Sequence, residues 1–278
     1  MPDLEQQLAV LKEVSYVDKV YAGLAELRRR QSEPLSDPVD LRLAELRIFS
    51  QNGEDGVLFE LVRQFARSSE YFVEFGVGDG WSCNTRILAE ALGWAGTYFE
   101  IDPQTHAQLA QRYVNSDRVT TSQAAITPAN ISEQFAGAGV PTEFAVLCID
   151  IDGQDYWVWE ALDERFTPDI IIVEVNTSYG VTASATERLG VPQDELTRTF
   201  GASIRAMESL GRSKGYTLVH IEMAGVNAFF VRTELLAGRE VRGIIDRSPN
   251  FGLRGRFHSD DRLYGAGPRV DRPTTEVG

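Results

Sequence analysis

Only two cysteines, Cys83 and Cys148, occur in 278 residues. They fall inside predicted helix-start and strand segments, which gives no disulfide framework. Basic side chains are also scarce: 27 Lys and Arg against 41 Asp and Glu leave a formal net charge of −14. That field repels phosphate backbones and anionic lipid surfaces, so neither nucleic acid nor a membrane is expected as a partner. No apolar run reaches the roughly 18 residues of a membrane span. The first ten residues, MPDLEQQLAV, lack the basic and apolar blocks of a secretory signal. A cytoplasmic, reduced protein is the expectation. Apolar residues make up 43% of the chain, which excludes global disorder, and the length suits one large α/β domain with additions, or less readily two small ones.

The stretch Tyr71 to Asp102, YFVEFGVGDGWSCNTRILAEALGWAGTYFEID, reads as strand, glycine loop, helix, strand. Tyr71 to Phe75 is an apolar run broken by Glu74, followed by Gly76, Gly78 and Gly80. Thr85 to Leu92 is helical in pattern, and Thr97 to Ile101 is a second strand carrying Glu100 near its end. In a parallel βαβ unit such glycines let the backbone approach a ligand, and the acid closing the second strand can hold a ribose diol. A dinucleotide fingerprint would need a third glycine at position 81, where Trp81 stands. The E-x-G-x-G-x-G pattern instead resembles motif I of the class I S-adenosylmethionine (SAM) methyltransferases. SAM has no pyrophosphate to seat on a helix N-terminus, and its cationic sulfonium and ammonium favour a nearby carboxylate such as Glu74. The resemblance implies a cofactor site of Glu74, Gly76, Gly78, Gly80, Trp81, Glu100, Ile101 and, further along, Asp150. It adds backbone contacts to adenine from Ala124 and Ala125 at the end of the third strand, although the acid often found there is missing. A glycine turn serving tight geometry alone is the competing reading.

Along the chain, residues 4 to 30 read as an amphipathic helix with Val10, Val14, Val17, Tyr21 and Leu24 on one stripe and Arg28, Arg29 and Arg30 at the negative end. Packing on its own domain is the preferred reading, and a homodimer seam is the alternative. A proline-marked linker, Ser32 to Asp40, leads to a domain over 41–237. In SQNGEDG, Asn52 suits an N-cap and Glu54 and Asp55 suit a first helical turn. In methyltransferases of this fold such an upstream segment often touches SAM, which adds Gln51 to the candidates, with Asn52 and Glu54 behind it. A helix near Gln104 to Tyr113, a strand Val119 to Ile126 and a helix from Thr127-Pro128 through Phe135 follow. Phe144 to Asp150 and Pro168 to Val175 read as buried strands, residues 176–200 as a lid, and 202–213 as a helix. Tyr216 to Ile221 and Ala228 to Val231 make a closing hairpin. The resemblance implies a Rossmann-like seven-stranded α/β sheet of order 3-2-1-4-5-7-6, with the last strand antiparallel, helices on both faces and an N-terminal helical extension. The Arg/Gly-rich stretch 238–278 reads as a disordered tail or an arm over the site.

A second carboxylate cluster lies in CIDIDGQDY, with Asp150, Asp152 and Asp155, and in VEVN, with Glu174 and Asn176. Both strand ends should project beside the glycine loop. This pattern resembles the catechol-type and macrolide-sugar O-methyltransferases. Their metal-ligand positions map onto Asp150, Glu174 and Asn176, an oxygen set suited to Mg²⁺ or another divalent cation. Gly153 stands where the catechol enzymes carry a lysine, so the base is open among Asp150, Asp152, Asp155 and, more weakly, His220. The bland alternative has Asp152 and Asp155 capping the next helix and Asp150 bonded locally. The expected activity is methyl transfer from SAM to a hydroxyl of a small-molecule acceptor, a sugar or natural product. The alternatives are metal-independent N- or C-methylation, or a SAM-fold protein with a partner-binding or non-methylating role.

Overall fold

Seven segments, most of them runs of apolar side chains, pair into one sheet. These strands are β1 (Ser69–Phe75), β2 (Ala95–Glu100), β3 (Val119–Gln123), β4 (Glu143–Ile149), β5 (Thr167–Glu174), β6 (Tyr216–Ile221) and β7 (Asn227–Arg232). The structure is a computed structural model that describes residues 4–191, 201–245 and 275–276. The sheet order is β3-β2-β1-β4-β5-β7-β6. All neighbours are parallel except β7, which runs antiparallel to both β5 and β6. This is the topology anticipated above.

Alternation on β5 shows how the two cores arise. Ile170 and Ile172 join one cluster with Leu58, Leu61 and Phe65, while Ile171 and Val173 join the other with Trp159, Met207 and Leu210. Successive strand side chains face opposite ways, so continuous apolar β4 and β5 require cover on both sides. Helices α1 (Leu4–Gln31), α2 (Glu54–Phe65), α3 (Arg86–Glu90) and α4 (Pro103–Arg112) contribute to the first cluster. Helices α5 (Ile131–Gly137), α6 (Asp155–Ala161) and α7 (Ile204–Ser213) contribute to the second. A short α8 (Thr233–Leu236) follows β7.

Two expectations need correcting. Helix α1 does dock on its own domain, but through Val20, Gly23 and Leu27. Val14, Val17 and Tyr21 of the anticipated stripe are exposed, and the side chain of Val10 lies outside the described residues. Gly23 permits the contact, because a Cβ there would sit 2.5 Å from Ile48 Cγ1. Helix α5 begins three residues later than Thr127-Pro128 suggests. Asn130 takes the N-cap position, accepts from the Thr127 N–H and donates to the Ala125 carbonyl, which turns 125–130 into a loop.

The chain beyond 238 is tied to the domain as far as 245. Val241 and Arg242 pair in parallel with Val39 and Asp40, and the Ile221 N–H donates to the Ile244 carbonyl at 2.8 Å. Thr275 and Glu276 pair antiparallel with Thr186 and Ala185. The rest of the anticipated tail, 246–274 and 277–278, and the lid portion 192–200 lie outside the described residues.

Candidate active site

At the carboxyl ends of β1 and β4 the glycine loop meets the first acid of the second cluster. Gly76, Gly78 and Gly80 all have positive φ (79°, 57° and 77°), a region costly for residues with a Cβ. Two of them are also sterically closed: a Cβ on Gly76 would lie 1.6 Å from the Asp150 carbonyl oxygen, and one on Gly80 would lie 2.7 Å from Leu109 Cδ1. Gly78 opens to empty space. The loop therefore needs glycine for its path at all three positions and for close packing at two.

Glu100 supports the loop from the next strand. Its Oε2 accepts from the Gly78 N–H at 2.7 Å and its Oε1 from the Asp102 N–H at 2.8 Å. A carboxylate has about four lone-pair sites, so both bonds leave acceptor capacity for a diol. Glu74 is engaged differently: Oε1 accepts from the Asn84 N–H, and Oε2 from the Thr85 N–H and hydroxyl, at 2.6–2.8 Å. Those bonds anchor the start of α3, and burial pushes the Glu74 carboxyl above its ordinary range despite them. The carboxylate expected to face the sulfonium therefore also anchors a helix through three donors.

In the SQNGED loop Glu54 and Asp55 do open the first turn of α2, but the N-cap position falls on Gly53 instead of Asn52 and no side chain caps the helix. Asp55 Oδ2 accepts from the N–H groups of Ile48, Phe49 and Ser50, each at 2.8 Å, which fixes the loop. Burial pushes Asp55 up to about 6. Glu54 is fully buried and accepts from the Asn52 and Gly53 N–H groups and from Asn227 Nδ2 at 2.9 Å. With the loop so fixed, Gln51, Asn52 and Glu54 line one cleft of about 270 Å³ together with Glu74, Gly76, Gly78, Asp79, Asp150 and Asn227.

Asp150, Asp152 and Glu174 each bring a carboxylate oxygen within 4.8 Å of the others. Burial, then Asp152, Asp155, Glu74 and Glu54, hold the Asp150 carboxyl well above the usual carboxylate range. Asp152 sits in left-handed backbone with φ 55°. Asp155, offered above as a catalytic group, is fully buried and folds back on its own turn, accepting from the Ile151 and Gly153 N–H groups at 2.8 Å. The Asn176 amide oxygen accepts from the Ser178 N–H at 2.9 Å and caps a 3₁₀ turn over Thr177–Tyr179. The carboxylates that converge are therefore Asp150, Asp152 and Glu174.

The adenosine-side candidates gather at the ends of β2 and β3, outside the lining of this cleft. Ile101 and Ala125 are exposed there, and the Ala124 N–H donates to the Glu100 carbonyl. Trp81 turns away from the cleft: Arg112 lies 3.9 Å and Arg86 4.8 Å from its ring, with Tyr16 of α1 edge-on at 5.7 Å. The Arg86 Nη1 donates to the Trp81 carbonyl and Arg112 Nε to that of Asp79, so this cation–π stack clamps the glycine loop from outside. His220 is a buried structural residue. Its Nδ1 accepts from the Ile244 N–H at 3.1 Å, which leaves Nε2 to donate to Glu45 at 3.1 Å. Sequence reasoning missed Asn227 and the two arginines. The only signal for Asn227 was an amide opening an otherwise apolar strand.

No protein-family model and no curated protein matches the chain. Among solved structures it is similar to the CurJ carbon methyltransferase, at 10% identity and TM-score 0.44, over 66% of this chain and 54% of that one. This chain therefore spans about half the length of that structure. It is also similar to the N-terminal domain of EvdMO1 with SAH bound, at 14% identity and TM-score 0.41, over 62% and 76% of the two chains. The citrinin polyketide synthase CMeT domain matches at 11% identity and TM-score 0.41, over 64% and 51%. The sheet order β3-β2-β1-β4-β5-β7-β6 with β7 reversed is the order that the resemblance to the class I SAM-dependent methyltransferases implies.

Proposed function

We propose that the chain is a SAM-dependent methyltransferase that methylates a hydroxyl of a small polar acceptor, such as a sugar or natural product, with help from a divalent cation. The observation that carries this reading is that the glycine loop and Asp150 line the same cleft. The glycine loop and one acid of the carboxylate cluster thus face one space. The three positive-φ glycines fit the close approach of SAM, and Glu100 has acceptor capacity for its diol. SAM supplies the methyl group, which leaves sulfur as the acceptor oxygen attacks from the opposite side. The residues around the cleft hold the two molecules in line, and alignment alone accounts for much of such a barrier.

The oxygen donors of Asp150, Asp152 and Glu174 suit a hard divalent cation such as Mg²⁺. A cation held there supplies Lewis acidity that favours loss of the hydroxyl proton. Asp155 is engaged by its own turn, so Asp150 and Asp152 remain as the candidate bases, each able to receive that proton only on an oxygen that does not bind the cation. Isothermal titration tests the reading: SAM binds the wild-type chain, and Glu100→Ala abolishes the heat. Lack of SAM binding by the wild type sinks it. Turnover that ignores a chelator removes the cation and favours an amine acceptor held by the same acids.

A further inference from the structure

The geometry points to Asn227 as the residue that orients the acceptor, by receiving a hydrogen bond from a second donor group, hydroxyl or ammonium, on the molecule to be methylated. Asn227 opens β7, directly opposite Glu174 in the ladder, and is 3% exposed. Its Nδ2 donates to Glu54 Oε1 at 2.9 Å. Glu54 only accepts there, so the orientation of the amide is settled. Its backbone N–H donates to Glu222, so both ends of the residue are fixed. The remaining atom, Oδ1, is buried and has no hydrogen-bond partner, although the residue lines the cleft with the glycine loop and Asp150.

A buried carbonyl oxygen without a donor is costly to keep. Here the residue that carries it lines a polar cleft, and an unmet polar atom beside a cleft is how a site selects a ligand group. Glu54, which holds the amide nitrogen in place, accepts hydrogen bonds as the Asn227 oxygen does. A molecule with a donor at this point satisfies the wall, and one with a carbonyl, carboxylate or phosphate there is repelled. The acceptor class is accordingly a polyol or amino alcohol, with one group at the methyl and another at Asn227.

This inference rests on the methyltransferase reading, and its test keeps the two apart. Transfer from [methyl-³H]SAM is measured to glucose, myo-inositol, glucosamine and ethanolamine, alongside the SAM Kd by titration. The wild type is expected to methylate at least one of these. Asn227→Leu, or Asn227→Ala where the leucine variant fails to fold, should then raise KM for that probe about tenfold, the worth of one lost hydrogen bond. The SAM Kd should stay within about twofold, a change too small to reflect a lost contact. An unchanged probe KM in both apolar variants, or an equal loss of SAM affinity, overturns the inference. So does a wild type that binds SAM yet methylates none of the four. A wild type that binds no SAM fails the methyltransferase reading instead.

Discussion

Gly76 and Gly78 look alike in the sequence, and the fold treats them differently. Both have positive φ, but a methyl group on Gly76 would fall 1.6 Å from the Asp150 carbonyl, while one on Gly78 meets nothing within 4 Å. Gly78→Ala should therefore cost only left-handed backbone strain, about 1–2 kcal/mol. That corresponds to roughly 2–4 °C of Tm per kcal/mol for a domain of this size. Gly76→Ala must push apart the loop and the end of β4, so it should either fail to fold or lose SAM affinity along with a much larger drop in Tm. Thermal unfolding of the two variants decides the matter, and equal losses would mean that the loop is not packed against Asp150. The glycines, Glu100, Asp150 and Glu174 were legible because each sits at a strand end, where a repeating pattern points. The roles of Glu74 and Asp155 were not, because a carboxylate that holds its own backbone and one that faces a ligand read identically until their donors are known.

Elements show the same division. Apolar strands announce themselves, so the segments of all seven were anticipated, with shifts of one to three residues at most ends, while their order came from the resemblance to the methyltransferases. Helix α1 was found, but its docking face was misjudged. The close contact uses Gly23 against Ile48, and a glycine adds nothing to an apolar stripe. The turn joining β6 to β7 was read as a connection, yet it is built around a buried acid. Glu222 accepts from the N–H groups of Ala224, Val226 and Asn227. Burial and the neighbouring Glu54 nonetheless push it up to about 8. Its ordinary value is 4.5, so the folded chain binds a proton that the unfolded chain releases. Stability from this group is fully present below about pH 4.5 and is lost as pH rises toward and through 8. Asp55 and Asp155, each pushed up to about 6 by burial, act in the same direction at lower pH. Melting temperature should thus fall between pH 5 and pH 9, and Glu222→Gln should flatten the upper part of that decline whatever it does to the absolute Tm. An unchanged slope would show that Glu222 titrates normally.

At the scale of the whole molecule, composition said how much could fold but not what closes the domain. The boundary read at 238 follows the change to an Arg/Gly-rich composition, whereas the chain stays docked to residue 245. Arg239 donates to the Ser36 carbonyl and to Gln64 Oε1, both at 2.6 Å. Val241 pairs with Val39, which is fully buried. The Ile244 N–H fills His220 Nδ1, and its carbonyl receives the Ile221 N–H. These contacts join the N-terminal linker to the outer edge of β6, a link between distant segments that no local pattern encodes. A chain ended at Gly238 would leave the His220 Nδ1 and the Ile221 N–H without partners, at about 1–3 kcal/mol for each group still shielded from water, and would uncover Val39. A chain ended at Ile245 keeps all of these contacts and, among the described residues, loses the two-residue pairing of Thr275 and Glu276 with Thr186 and Ala185. Thermal unfolding should place the 1–245 chain close to the full-length protein and the 1–238 chain many degrees below it, or in the insoluble fraction. If the two truncations melt together, the 239–245 segment is not part of the folded unit. If both retain the SAM affinity of the full chain, the cofactor half of the cleft is complete without any residue beyond Gly238.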